Sequence, residues 1–159
     1  MTKYDILADN SRVWIYQSDR AFTASELPQV RQYLQQFAQR WVSHNRDLHA
    51  YADVFHNQFI VLMVDESHAG ASGCSIDASV HFLQQLQAEF GVYLFDRMTF
   101  AYQDEAGVKT AKRDEFKTLY QAGKIEDDTL VFDNLVNTKA QFQAAWVKPL
   151  KESWHKRMV

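Results

Sequence analysis

Apolar positions recur along this chain with two alternating periods, and the alternation predicts a string of elements. Val13-Trp-Ile-Tyr16 is β-branched and aromatic, which suits a first strand. Leu27, Val30, Leu34, Phe37, Ala38 and Trp41 follow at helical spacing and define one buried face. Ahead of them, Phe22-Thr23-Ala-Ser-Glu26-Leu27 reads as a hydrophobic staple with a Thr23/Glu26 capping box. Pro28 fits that register poorly and would favour Ser25 as the cap. A polar connection over 43–48 leads to two strands, about Ala50–Phe55 and Phe59–Val64, joined by a tight turn at His56-Asn57-Gln58. A second helix carries Ile76, Val80, Leu83, Leu86 and Phe90 on one side, and Gly91 is its expected stop. Alternation at Met98, Phe100 and Tyr102 predicts another strand. Asp104-Glu-Ala-Gly107 turns it into a short partner near Val108–Ala111. A third helix is expected from about Arg113 to Ala122. Thr129-Leu-Val-Phe132 is apolar but of undecided type, and Thr138 can cap a last helix through Trp146.

The order β-α-β-β-α-β, then a hairpin strand and helices, predicts an α+β fold: a ferredoxin-like sheet with a C-terminal helical extension. A profilin-like or roadblock-like α+β arrangement gives a similar string. At 159 residues, 47% of them hydrophobic, the chain has the core material for one domain, 1–159. The net charge of −3, with acids and bases interspersed, argues against nucleic-acid binding. A local basic excess between Lys148 and Arg157 reads as a solvated tail. One cysteine rules out an internal disulfide. The N-terminus lacks the apolar core of a signal peptide, and no apolar run approaches the ~20 residues that span a bilayer. The expectation is a cytoplasmic protein that needs no membrane.

The densest chemistry lies in Gly70-Ala-Ser-Gly-Cys-Ser-Ile-Asp-Ala-Ser79, between an apolar strand and a helix. Ser72, Gly73, Cys74, Ser75 and Asp77 are the candidate ligand-binding residues, because a helix start offers backbone N–H groups and small side chains. Gly73 is expected to take a left-handed turn that a β-branched residue would strain, and Ser75 to cap the helix. Cys74, at the positive end of the helix dipole, is the candidate catalytic thiol, with His44, His49, His68, His81 or His155 as a possible base. The opposing reading is a small buried cysteine and ordinary capping; Asp77 beside those N–H groups would also repel a phosphate. His44, Asp47, His49, Asp53 and His56 match no closed metal site, so neither metal nor cofactor is expected. Trp14, Tyr16, Trp41, Trp146 and Trp154 read as core, and Ser153-Trp-His155 is too short a motif for a triad.

Four stretches, Arg12–Gln17, Ala71–Val80, Phe132-Asp-Asn-Leu-Val136 and Glu152-Ser-Trp-His155, together resemble a family of small uncharacterised bacterial proteins that commonly carry the name "ABC transporter ATPase". The resemblance implies no activity to carry over. It spans nearly the whole chain, and the family often has asparagine where this chain has Asp133. The name conflicts with the residues. Gly-x-x-x-x-Gly-Lys-Ser/Thr, whose backbone cradles phosphate, is absent, and Gly70-Ala-Ser-Gly73 has the wrong spacing and no following lysine. The expected role is therefore non-catalytic: a protein partner or small polar ligand bound at 70–79. A thiol-dependent enzyme using Cys74 is the alternative.

Overall fold

The computed structural model describes residues 1–159. In chain order the elements are β1 (Arg12–Gln17), α1 (Leu27–Arg40), a short hairpin of β2 (Val42–Ser43) and β3 (Arg46–Asp47), β4 (His49–Phe55), β5 (Phe59–Asp65), α2 (Gly73–Phe90), β6 (Thr99–Asp104), β7 (Gly107–Lys112), α3 (Arg113–Gln121), β8 (Leu130–Phe132), α4 (Lys139–Ala145) and β9 (Val147–Pro149). Single 3₁₀ turns follow at Leu150–Glu152 and Trp154–Met158. The class is α+β, and every strand pair is antiparallel.

The strands divide into two main sheets, one of three strands in the order β1-β5-β4 and one of four in the order β7-β6-β8-β9. β5 explains the division. Residues Phe59 to Val64 are all fully buried, so the strand is covered on both faces. Ile60, Leu62 and Val64 join Val30, Leu34, Phe37, Leu83 and Leu86 in a core beneath α1 and α2. Phe59, Val61 and Met63 point the other way, into a second core with Ala101, Phe132, Phe142 and Trp146 from the four-stranded sheet and α4. That sheet in turn buries Phe100, Ala111 and Val131 against Phe116 of α3 and Leu150. The layers run helices, sheet, sheet, helix.

Both helical stripes thus pack on one face of an antiparallel sheet, as their periodicity requires. The sheet, however, has three strands. β6, which would close a four-stranded ferredoxin-like sheet, pairs instead with β7 and β8. Its apolar positions demand this, since Phe100 and Ala101 face different cores. The undecided stretch at 129–132 becomes β8.

Local signals act much as read. Thr23 and Glu26 make the reciprocal box: Thr23 N–H donates to Glu26 Oε1 at 2.9 Å and Glu26 N–H to Thr23 Oγ1 at 3.2 Å. The helix itself begins only at Leu27, which leaves Pro28 in its first turn, where it needs no hydrogen bond. His56 and Asn57 both take left-handed φ (52° and 57°) in the three-residue turn, His56-Asn57-Gln58, that joins the paired Phe55 and Phe59. The N-terminal segment is tied down by Lys139, only 4% exposed, whose ammonium donates to the carbonyls of Tyr4 and Leu7 at 2.9 Å each. No helix is long and apolar enough to cross a membrane.

Leu34 and Leu83 are fully buried beneath the three-stranded sheet. Their alanine variants are expected to lose ~2–5 kcal/mol each in urea unfolding. A loss below about 1 kcal/mol at both would mean that the α1 and α2 faces are not a packed core.

Candidate functional site

The 70–79 segment is built as a helix start. Ser72, not Ser75, is the N-cap, and Ser75 stands three residues on as the second half of a capping box. Ser75 N–H donates to Ser72 Oγ at 3.2 Å, and Ser72 N–H donates to Ser75 Oγ at 2.6 Å. Ala71 N–H donates to a Glu66 carboxylate oxygen at 2.9 Å. Hydroxyls and a carboxylate thus engage the N–H groups of Ala71, Ser72 and Ser75, which leaves those of Gly73 and Cys74 at the helix start. Gly73 lies inside the first turn of α2. The left-handed glycines are Gly91, Gly107 and Gly123, and a Cβ at Gly73 would meet nothing within 4 Å. The expected constrained turn at Gly73 is corrected accordingly: a helix start asks for no positive φ. Cys74 is exposed, as is Asp77, while Ser79 is buried and donates to the Ile76 carbonyl. None of the five principal cavities is lined by residues 70–79. The histidines and aspartates of 44–56 are dispersed as well: Asp53 pairs with Arg31, and His49 stacks on His68. No three His, Cys, Asp or Glu side chains gather as a metal site.

The largest of these cavities opens at the seam between the two sheets. It has a volume of about 560 Å³, and Phe100, Phe132, Trp154 and Met158 are among its apolar walls. Residues from 12–17, 132–136 and 152–155, far apart in the chain, converge on it. Asp133 is the hub. Its Oδ2 accepts from the Lys148 ammonium at 2.8 Å, and its Oδ1 accepts from Trp154 Nε1 at 2.8 Å and Leu135 N–H at 3.0 Å. Burial works to raise the Asp133 pKa, but the Lys148, Trp154 and Leu135 donors outweigh it and hold the carboxyl below its ordinary range. The next residue joins the sheets. Asn134 donates to Gln17 Oε1 of β1 at 3.1 Å and accepts from Trp146 Nε1 at 3.0 Å. Gln17 in turn donates to the Thr99 carbonyl of β6 at 3.1 Å.

His155, 1% exposed, forms part of the cavity wall. Its Nδ1 lies 2.6 Å from Ser153 Oγ. That hydroxyl has no other partner, so its proton is best satisfied by donation to Nδ1, which leaves the ring N–H on Nε2. Burial pushes the His155 pKa down to about 4, opposed in part by Asp133 and assisted by Lys148. The ring is neutral at pH 7. Ser153 does not line the cavity, so the pair presents no nucleophile to it.

Two further depressions abut the central one along β1. One, of about 390 Å³, shares Gln17, Asp96 and Thr99 with it; the other, of about 400 Å³, shares Arg97, Asn134 and Leu135. Together they form a groove that follows β1 from Arg12 to Asp19. Three of the chain's exposed large apolar side chains stand along it: Tyr93 at 49%, Met98 at 51% and Leu135 at 65% exposure. Sequence reasoning passed over this groove. Its one local signal was Leu135, an apolar residue in a turn outside any amphipathic stripe; Met98 reads as the start of a strand. No protein-family model, curated protein or solved structure matches this chain.

Two outcomes follow. Ser72→Ala is expected to cost ~0.5–2 kcal/mol as a lost cap, while Gly73→Ala, with open space and helical φ, should be neutral or stabilising by up to ~1 kcal/mol; thermal unfolding of both variants checks this. For His155 the folded pKa lies below the unfolded value of about 6.5. The unfolded chain therefore takes up the proton first as pH falls, and stability present above about pH 6.5 drains away toward pH 4, by about 3 kcal/mol in all. His56 is shifted downward too, by burial. His155→Gln should therefore flatten most, not all, of that slope in unfolding measured across this range.

Proposed function

We propose that the protein is a non-catalytic recognition module that binds an extended segment of a protein partner in the groove along β1. A single observation carries the reading: β1 is the edge of its sheet, it is buried, and its outer side is largely unpaired. On that side Val13 N–H donates to the Asn137 carbonyl, and Asp19 N–H donates to the Tyr93 carbonyl. Between these anchors no strand pairs with it, and the Arg97 guanidinium makes one long bond to the Ile15 carbonyl at 3.3 Å. Ile15 and Gln17 point the same way by the two-residue period of a strand, and both are under 10% exposed. Buried N–H groups without partners are costly. An added strand satisfies them, and its alternate side chains drop into the pockets on either side. The exposed Met98 and Leu135 suit such an apolar contact.

The same edge bears on the fold. The order β1-β5-β4 is that of a split β-α-β unit, and we read the first half of the chain as a ferredoxin-like half whose fourth position, beside β1, is left for a ligand. The resemblance to the small bacterial family stands as a proposal alongside this one. The ATPase activity in that family's name finds no support, since the chain has no Gly-x-x-x-x-Gly-Lys-Ser/Thr segment and the Ala71, Ser72 and Ser75 N–H groups of its glycine- and serine-rich loop are already bonded within the loop. Cys74, exposed and without a hydrogen-bonded base, gives the thiol-enzyme alternative no added support.

The test is ¹⁵N NMR with an uncharged peptide of about eight residues, alternating threonine and valine around a central leucine, matched to the extended length of the Arg12–Asp19 edge. Shift changes are expected at Ile15, Gln17, Thr99 and Leu135. Leu135→Arg, at an exposed position, should abolish them while leaving the melting temperature within a degree or two of the parent. Shifts confined to 70–79, or none at all, would overturn the reading.

A further inference from the structure

The groove is electrically polar along its length. The depression at its Arg12 end is lined by Arg12 and Arg97 and by no acidic residue. The depression at its Asp19 end is lined by Asp19, Asp96 and Glu115 against one cation, Lys112. Between them lies the cavity walled by Phe100, Phe132, Trp154 and Met158, with the neutral His155 ring at its side. Arg97 reaches both the central cavity and the cationic end. It makes no salt bridge: its guanidinium donates to the Ile15 carbonyl at 3.3 Å and lies over the Tyr16 ring. Arg12 lies over the Trp14 ring, 4.7 Å from its centre, and makes only a long contact with Glu66, at 3.7 Å. At the other end Asp96 is held by Thr99 and Met98, and Asp19 by Tyr93; Lys112 and Arg20 lie near enough to act on their charges, but neither aspartate forms a salt bridge. Glu115 has no ion-pair partner.

Resting on the peptide-binding reading above, we infer that the partner segment carries a basic residue, then an apolar one, then an acidic one, in that order from its N-terminus. The charge order follows from complementarity with the two ends of the groove. The chain direction follows from pairing. Every strand pair in the molecule is antiparallel, and an antiparallel addition to β1 runs from the Asp19 end toward the Arg12 end. The N-terminal part of the ligand then lies by Asp19, Asp96 and Glu115. Its middle side chain enters the aromatic cavity. Its acidic residue meets Arg97 and Arg12, where the guanidinium of Arg97 exchanges a long carbonyl contact for a carboxylate.

The experiment compares three peptides of about eight residues by fluorescence anisotropy: a basic–apolar–acidic peptide, the same residues with the charged ends exchanged, and the uncharged peptide. The first is expected to bind roughly fivefold tighter than the uncharged one, and the exchanged peptide more weakly than either, with the differences collapsing near 1 M salt. Arg97→Glu should erase or invert the ratio of affinities between the charged peptide and the exchanged one, with each affinity compared to that of the uncharged peptide on the same variant; a ratio unchanged by the substitution overturns the charge order. If the uncharged peptide binds as tightly as the charged one, or the exchanged peptide binds best, the charge order is wrong although the groove remains a peptide site. If none of the three binds, the groove reading fails and this inference fails with it.

Discussion

Everything in this molecule leans on a strand that has no wet face. β5 is buried from Phe59 to Val64, and its alternate residues serve two different cores. One face needs the stripes of α1 and α2; the other needs a second apolar layer. A three-stranded sheet with helices on one side alone would leave Phe59, Val61 and Met63 facing water. Burying three such side chains is worth several kcal/mol (~1.5–3 each). The second sheet is the layer that supplies the cover, with Phe132 stacked on Phe59 at 4.7 Å between ring centres.

That demand also accounts for the position of the groove. Once β6 is committed to the second sheet, it cannot also pair with the outer side of β1. The seam is held at fixed points instead of by a ladder. Asp133 gathers Lys148, Trp154 and the Leu135 N–H, and Asn134 and Gln17 carry the connection across to β1 and β6. Side-chain amides joining sheets in this way leave gaps that backbone pairing would close. The gaps are what line up beside β1, with fixed charges at either end.

The loop at 70–79 shows how the same residue types serve two purposes. Serines, a glycine and a cysteine ahead of a helix can offer N–H groups to a ligand, or can satisfy those N–H groups themselves. Ser72 and Ser75 do the latter, three residues apart as a reciprocal box requires. The spacing was visible in the chain. What decides between the two uses is whether the hydroxyls turn inward, and Ser75 does so because it is buried against α1, where its carbonyl accepts the Trp41 indole N–H at 2.8 Å.

Local order was legible in the residues because it depends on near neighbours. The Thr23/Glu26 box, the Leu27–Trp41 stripe, the stop at Gly91, the tight turn at His56-Asn57-Gln58 and the Thr138 cap all rest on contacts within a few positions, and all stand in the structure. The apolar run Phe59–Val64 was legible as a strand, but not the cover on both of its faces. Which strands share a sheet was not legible, because pairing partners such as β6 and β8 lie a strand and a helix apart, and either edge accepts the same hydrogen bonds. Nor was the groove, whose walls come from Gln17, Arg97, Asn134 and Trp154, residues that meet only when two sheets stack. Periodicity reports which face of an element is apolar. It carries no information on where that face, or an unpaired edge, comes to rest.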